Sequence, residues 1–260
     1  MPRAVPALPQ GYFLALGDSI AYGIQPAKVR AGLPPSGFNT GYVDVFAARL
    51  RALAPAIRVV NYSCPGESTK TFIAGGCPWL TGKRRLHDAF HGSQLAAALR
   101  FLRTHPGQVS PITLTLWGND VAEFSDACKG DLVCVRARAP RAIAQFASRL
   151  SSILLRLRAA APKAEIIVTG AWNTDVVNPR QTDPLFRSLD ATIAQVAAGA
   201  KARFADTFRA FNPRGSVARV KARICAFTFV CSEGDDHPTD AGYRAIAAAV
   251  FSASGYKHRS

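Results

Sequence analysis

Five short apolar runs punctuate the chain: Tyr12-Phe13-Leu14-Ala15-Leu16, Ile57-Arg58-Val59-Val60, Ile112 to Leu116, Glu165 to Thr169 and Ala202 to Asp206. Each has the length and composition of a buried strand, and turn residues bound them. The intervening segments carry a helical period. Ile143, Phe146, Leu150, Leu154 and Leu157 mark one face of a helix that Pro140 is expected to open. Thr239 and Asp240 start a last helix that runs through Ile246 to about Phe251. Strands alternating with helices predict an α/β fold with a central five-stranded parallel sheet covered on both faces. No Pro/Gly/Ser-rich linker or internal repeat divides the 260 residues, so one domain spanning 1–260 is expected, with flexible ends at 1–10 and 253–260.

Polar residues with chemical capacity stand directly after the strand runs. Gly17-Asp18-Ser19 follows the first, where a serine would sit on a strand-to-helix turn; alone, the triplet reads equally well as a helix cap. Asn61-Tyr62-Ser63-Cys64-Pro65-Gly66-Glu67-Ser68 follows the second, and Trp117-Gly118-Asn119-Asp120 follows the third. Asp235-Asp236-His237-Pro238-Thr239-Asp240 lies near the far end. In open parallel sheets the carboxyl ends of the strands face one crevice, so these segments can converge.

This ordered set resembles the SGNH hydrolases, also called GDSL esterases and lipases, over nearly the whole chain. The resemblance implies a flavodoxin-like three-layer α/β/α sandwich. It implies Ser19 as nucleophile, His237 as acid and base, and an oxyanion hole from the backbone N–H groups of Ser19 and Gly66 with the side-chain amide of Asn119. Two positions depart from the family pattern. Trp117 stands where Gly-x-Asn-Asp has its first glycine, either narrowing the pocket or, the favoured reading, packing under the sheet. Gly234 stands three residues before the histidine, where the family carries aspartate. Asp235, Asp236 or a backbone carbonyl then remain to orient His237, and Asp235 is the expected choice.

These residue types suit acyl transfer. A serine hydroxyl needs a base within hydrogen-bond reach to attack a carbonyl carbon. Histidine takes that proton near neutral pH and returns it to the leaving alcohol. A group on its other ring nitrogen fixes the tautomer, and aimed donors stabilise the developing oxyanion. No metal or other cofactor is needed.

Cys64, Cys77, Cys128, Cys134, Cys225 and Cys231 fall as three sequence-local pairs, none with C-x-x-C spacing. Fifteen connectivities are formally open; nearest-neighbour pairing is expected, because each pair would clip one loop. Cysteine usage of this kind points outside the cell. Met1 to Gln10 carries three prolines and no extended apolar core, so the expectation is a secreted enzyme whose leader is not in this sequence.

The net charge of +15 reads as a basic soluble surface or as steering toward an anionic membrane. Nucleic acid is not an expected partner, since no zinc finger, RNP-type motif or concentrated basic helix is present. A monomer acting on a small-molecule or lipid ester is expected. The alternatives are a carbohydrate O-acetyl esterase and a catalytically impaired basic binding module. Ser68 is expected as a loop or cap residue. Trp79 is expected to rim the crevice or pack on a loop disulfide, and His87, His91 and His105 to face solvent.

Overall fold

The computed structural model describes residues 8–82 and 84–256. All five runs are strands: β1 (Tyr12–Gly17), β2 (Arg58–Asn61), β3 (Val109–Thr115), β4 (Ile166–Thr169) and β5 (Arg203–Ala205). They form one sheet in the order β2-β1-β3-β4-β5, every neighbouring pair parallel. β3 and β4 are buried along their whole length, as the unbroken apolar runs require of strands covered on both faces. The short edge strands β2 and β5 keep an exposed residue each, Arg58 and Arg203.

Helices close both faces, giving the expected α/β/α layers. Tyr42–Arg51 and Asp240–Ser254 pack together, and the latter lies on β4 and β5. On the other face Leu132–Ala160 packs between Gln94–Thr104 and Pro179–Gly199. The helical stripe read from the sequence is buried here: Phe146, Leu150, Leu154 and Leu157 are sealed, with Ile153 beside them.

The start of that helix differs from expectation. It opens at Leu132, with Pro140 inside it. Asp131 accepts from the backbone N–H groups of Val133 (3.0 Å) and Cys134 (3.3 Å), supplying a cap eight residues earlier than the proline would. Pro140 and Arg136, whose carbonyl loses its i+4 donor, are both exposed, so water can satisfy that group. The C-terminal end also differs. The last helix continues to Ser254, and Tyr256 is buried with its hydroxyl 3.1 Å from Ser110 Oγ, so residues 253–256 are held. The outer parts of the two ends expected to be flexible, 1–7 and 257–260, lie outside the described residues. No described helix is long and apolar enough to cross a membrane.

The strand order reverses between β1 and β3, one chain continuing to β2 and the other to β4. Their carboxyl ends pair side by side, Gly17 opposite Thr115. Such a switch point leaves a crevice between diverging loops. The approach demands glycine: φ at Gly17 is +132°, and a Cβ there would lie 2.0 Å from the Thr115 carbonyl oxygen. Gly17→Ala is therefore expected to lower unfolding free energy by about 3 kcal/mol or more, read from denaturant midpoints.

Candidate active site

The residue after Gly17 explains how the first block is shaped. Asp18 caps the short helix Ser19–Tyr22, its Oδ1 accepting from Ile20 N–H at 2.9 Å, and its own N–H donates to Thr115 O at 3.1 Å. The cap reading and the nucleophile reading thus apply to neighbouring residues: Asp18 turns the chain, and half-buried Ser19 emerges at the first helical position. Burial pushes the Asp18 carboxyl up to about 7, against the opposing pull of the Ile20 N–H and of charge on His237.

Gln94 is fully buried and bridges Gly17 on both sides. Gly17 N–H donates to its Oε1 (2.7 Å), and its Nε2 donates to Gly17 O (2.9 Å) and to Glu67 Oε2 (3.0 Å). This residue is not among the candidates legible in the sequence. A glutamine at the first turn of an amphipathic helix carries no local signal of such a role.

The loop after β2 is bound into the same network. Cys64 N–H donates to Gly17 O at 2.9 Å. Gly66 adopts φ +87°. Asn119 Nδ2 donates to the Glu67 carbonyl at 2.9 Å, which ties the third block to the second. Asp120 reinforces the tie: it accepts from Thr69 N–H (2.8 Å) and pairs with Arg149 (3.1 Å). Ser68 is the N-cap of the helix Thr69–Ala74, as expected. The Cys64–Cys77 disulfide closes this loop.

The histidine block is built by a second clip, Cys225–Cys231, and by Gly234, whose φ of +66° ends the turn Val230–Glu233. Phe229 N–H donates to His237 O (3.1 Å) and Thr239 N–H to Phe227 O (2.9 Å). Asp235 Oδ1 accepts from His237 N–H (2.9 Å) and lies 2.7 Å from His237 Nδ1. Asp236 is exposed. Of the three orienting groups left open by the sequence, Asp235 is the one in contact with the ring. Moving the carboxylate one residue closer is possible because Gly234 supplies the left-handed turn.

Burial alone would lower the His237 pKa. The hydrogen bond and charge of Asp235, aided by Asp236 and Asp18, outweigh it and leave the pKa raised above 6.5. Asp235 is desolvated too, yet its contacts with His237, helped by the Arg30 charge, hold it below the usual carboxylate value.

Ser19, Gly66, Asn119, Asp235 and His237 all line one crevice of about 550 Å³, together with Ile24, Pro26, Val29, Arg30, Pro65, Pro78 and Trp79. Trp79 combines both roles considered for it. It walls the crevice and packs on Tyr22 (5.7 Å between rings), beside the buried Cys64 and Cys77. Trp117 is absent from this wall; it is buried, edge-on to Trp172 at 4.8 Å. His91 is exposed, but His87 packs on Tyr22 (4.3 Å) and bonds its carbonyl, and His105 stacks on Phe101 (4.2 Å). Flanking aromatic residues pull these two rings inward, against expectation.

Two groups of described residues bring three potential metal-ligand atoms within 4.8 Å: Cys64, Glu67 and Cys77, and Asp235, Asp236 and His237. The first spends its sulfurs in a disulfide, and in the second Asp235 already occupies His237 Nδ1. The remaining pair, Cys128–Cys134, completes the nearest-neighbour connectivity.

The GDSL-like Lipase/Acylhydrolase family model matches residues 15–245. The chain belongs to that family. Its members are carboxylic ester hydrolases, and the match runs from β1 into the last helix. No curated protein matches the sequence. Solved structures with the same fold include phospholipase A1 from Streptomyces albidoflavus NA297, at 22% identity and TM-score 0.62, covering 94% of this chain and 99% of that one. A lipase from a goat rumen metagenome has 15% identity and TM-score 0.64, covering 95% and 98%. An acetylxylan esterase from Geobacillus stearothermophilus has 18% identity and TM-score 0.57, covering 97% of both chains.

For this family member the geometry makes a direct claim about His237. Its ring should titrate above pH 6.5 by NMR, and Asp235→Asn should move that titration downward, whereas Asp236→Asn should move it less.

Proposed function

We propose that this protein is a secreted serine esterase or lipase that hydrolyses carboxylic esters through an acyl-enzyme on Ser19. The observation that carries the reading is the Asp235–His237 pair, 2.7 Å apart, lining the same crevice as Ser19, Gly66 and Asn119. In this mechanism His237 Nε2 takes the Ser19 proton as Oγ attacks the ester carbonyl carbon. Asp235 keeps the Nδ1–H tautomer and stabilises the imidazolium. The carbonyl oxygen, now an anion, receives the backbone N–H groups of Ser19 and Gly66 and the Asn119 amide, one of whose hydrogens is committed to Glu67 O. His237 then returns the proton to the leaving alcohol. Water repeats the sequence in reverse roles, releasing the acid and free Ser19.

Ile24, Val29, Pro65, Pro78 and Trp79 give the crevice an apolar wall, which supports lipid or aryl esters. Phospholipase activity belongs to the same reading. A carbohydrate O-acetyl esterase is the alternative, favoured by the likeness to the acetylxylan esterase fold. Three disulfides support an extracellular setting. Two of them close loops of 13 and 6 residues beside the crevice and stabilise by about 2–3 kcal/mol each. The net charge of +15 and the exposed Val133 and Val177 support transient docking on an anionic bilayer.

An acyl-length panel of soluble esters tests the reading. Turnover should rise from acetyl to medium chains, and a strict acetyl preference would favour the deacetylase. Ser19→Ala should abolish turnover, and Asn119→Ala should lower it about a hundred- to a thousand-fold. Because His237 must be neutral to act as base, kcat/KM should fall as pH drops through its raised pKa, placing the acid limb above pH 6.5. On anionic vesicles activity should decline steeply with salt, while activity on a soluble ester should not.

A further inference from the structure

A second cavity, of about 430 Å³, lies between the helices Gly118–Ala127, Leu132–Ala160 and Pro179–Gly199. None of its lining residues lines the catalytic crevice. Trp117, Phe124, Ile143, Phe146, Phe186 and Leu189 make its wall predominantly apolar. Trp117 stands where the family pattern carries glycine, and here it forms part of this wall. Its ring is edge-on to Phe186 at 6.3 Å.

Polar groups gather at one end. Asp120 also lines the cavity; it is bonded to Thr69 and Arg149, which largely commits its charge. Lys70 adjoins Thr69, lines the cavity and is exposed, and it has no ion pair or side-chain hydrogen bond among the described residues. Arg149 lines the same end. Glu123 is the one further carboxylate in the lining, and it is exposed. A predominantly apolar cavity with an uncommitted cation in its lining fits a long apolar chain ending in a carboxylate.

We propose that this cavity binds a fatty-acid anion, its chain among the three helices and its carboxylate held by Lys70. The ligand class follows the lipid-ester reading, of which it would be the product. The site uses no catalytic residue, so its occupancy can be measured without turnover.

The test uses the full oxidised chain carrying Ser19→Ala and a dodecanoate with a terminal diazirine, kept below its micelle concentration. Photolabelling should fall on peptides containing 117–149 and 182–189. Isothermal titration should show saturable dodecanoate binding that tightens by roughly fourfold per methylene from octanoate. Ala142→Trp, which fills the cavity, should remove that label and weaken binding at least tenfold. Lys70→Gln should weaken binding several-fold and flatten its salt dependence. Labels confined to 24–30, 65–66 and 78–79 would place the acid in the catalytic crevice and overturn the proposal, as would an absence of saturable binding. If Ala142→Trp does not fold, the label map on the Ser19→Ala chain decides alone. Failure of the esterase reading would instead appear as no turnover by the unmutated enzyme, whatever dodecanoate does.

Discussion

The geometry around Ser19 depends on one contact: the side-chain amide of Gln94 closing on both backbone groups of Gly17. Gly17 is the last residue of a central strand and passes so near Thr115 O that no side chain fits. Its N–H and C=O are buried where strand pairing runs out, and unmatched they would cost about 1–3 kcal/mol each. Gln94 satisfies both, with Cys64 N–H sharing the carbonyl. Its third contact, to Glu67, fixes the neighbouring loop, whose carbonyl in turn orients Asn119. All three proposed oxyanion donors are thereby referred to one rigid point at the strand end, which is the preorganisation that electrostatic catalysis requires. The buried Glu67 carboxyl is part of the cost: burial raises its pKa, and its Oε1 has no partner among the described residues.

The electrostatics of the crevice is divided between two carboxyl groups with opposite environments. Asp235 touches the imidazole and is held ionised below the usual value, which suits it to steady a charged histidine. Asp18 is sealed under the first helix, where burial pushes its pKa up to about 7, and it serves as a cap. Gly234, which looks like a lost catalytic aspartate in sequence, makes the turn that lets the next residue take over the contact. A departure at one position is compensated by backbone conformation at the same position.

Much of this was legible in the chain. The strands announce themselves because a sheet covered on both faces needs unbroken apolar runs, and the blocks after β1, β2 and β3 had to meet at the switch point once the strands were parallel. Sequence-local cysteine pairs gave the connectivity for the same reason that short loops close readily. What stayed hidden depends on long-range partners. Gln94 lies 77 residues from Gly17, and nothing local marks it. Pro140 misled because a helix start is decided by its cap, and Asp131 provides one earlier. His87 and His105 were drawn inward by Tyr22 and Phe101, neighbours that only the fold supplies. Trp117 is buried against Trp172 and Phe186, in keeping with the favoured packing reading, and only the fold shows that it also walls a second cavity.

The central claim is that Ser19 is an activated nucleophile, and it can be tested without knowing the substrate. Intact-mass analysis after exposure to a fluorophosphonate should show a single covalent adduct, mapped to Ser19 and absent from Ser19→Ala. A folded, fully oxidised protein that takes no adduct would contradict the account. It would mean that the Asp235–His237 pair does not activate the serine, and that the fold serves binding instead of hydrolysis.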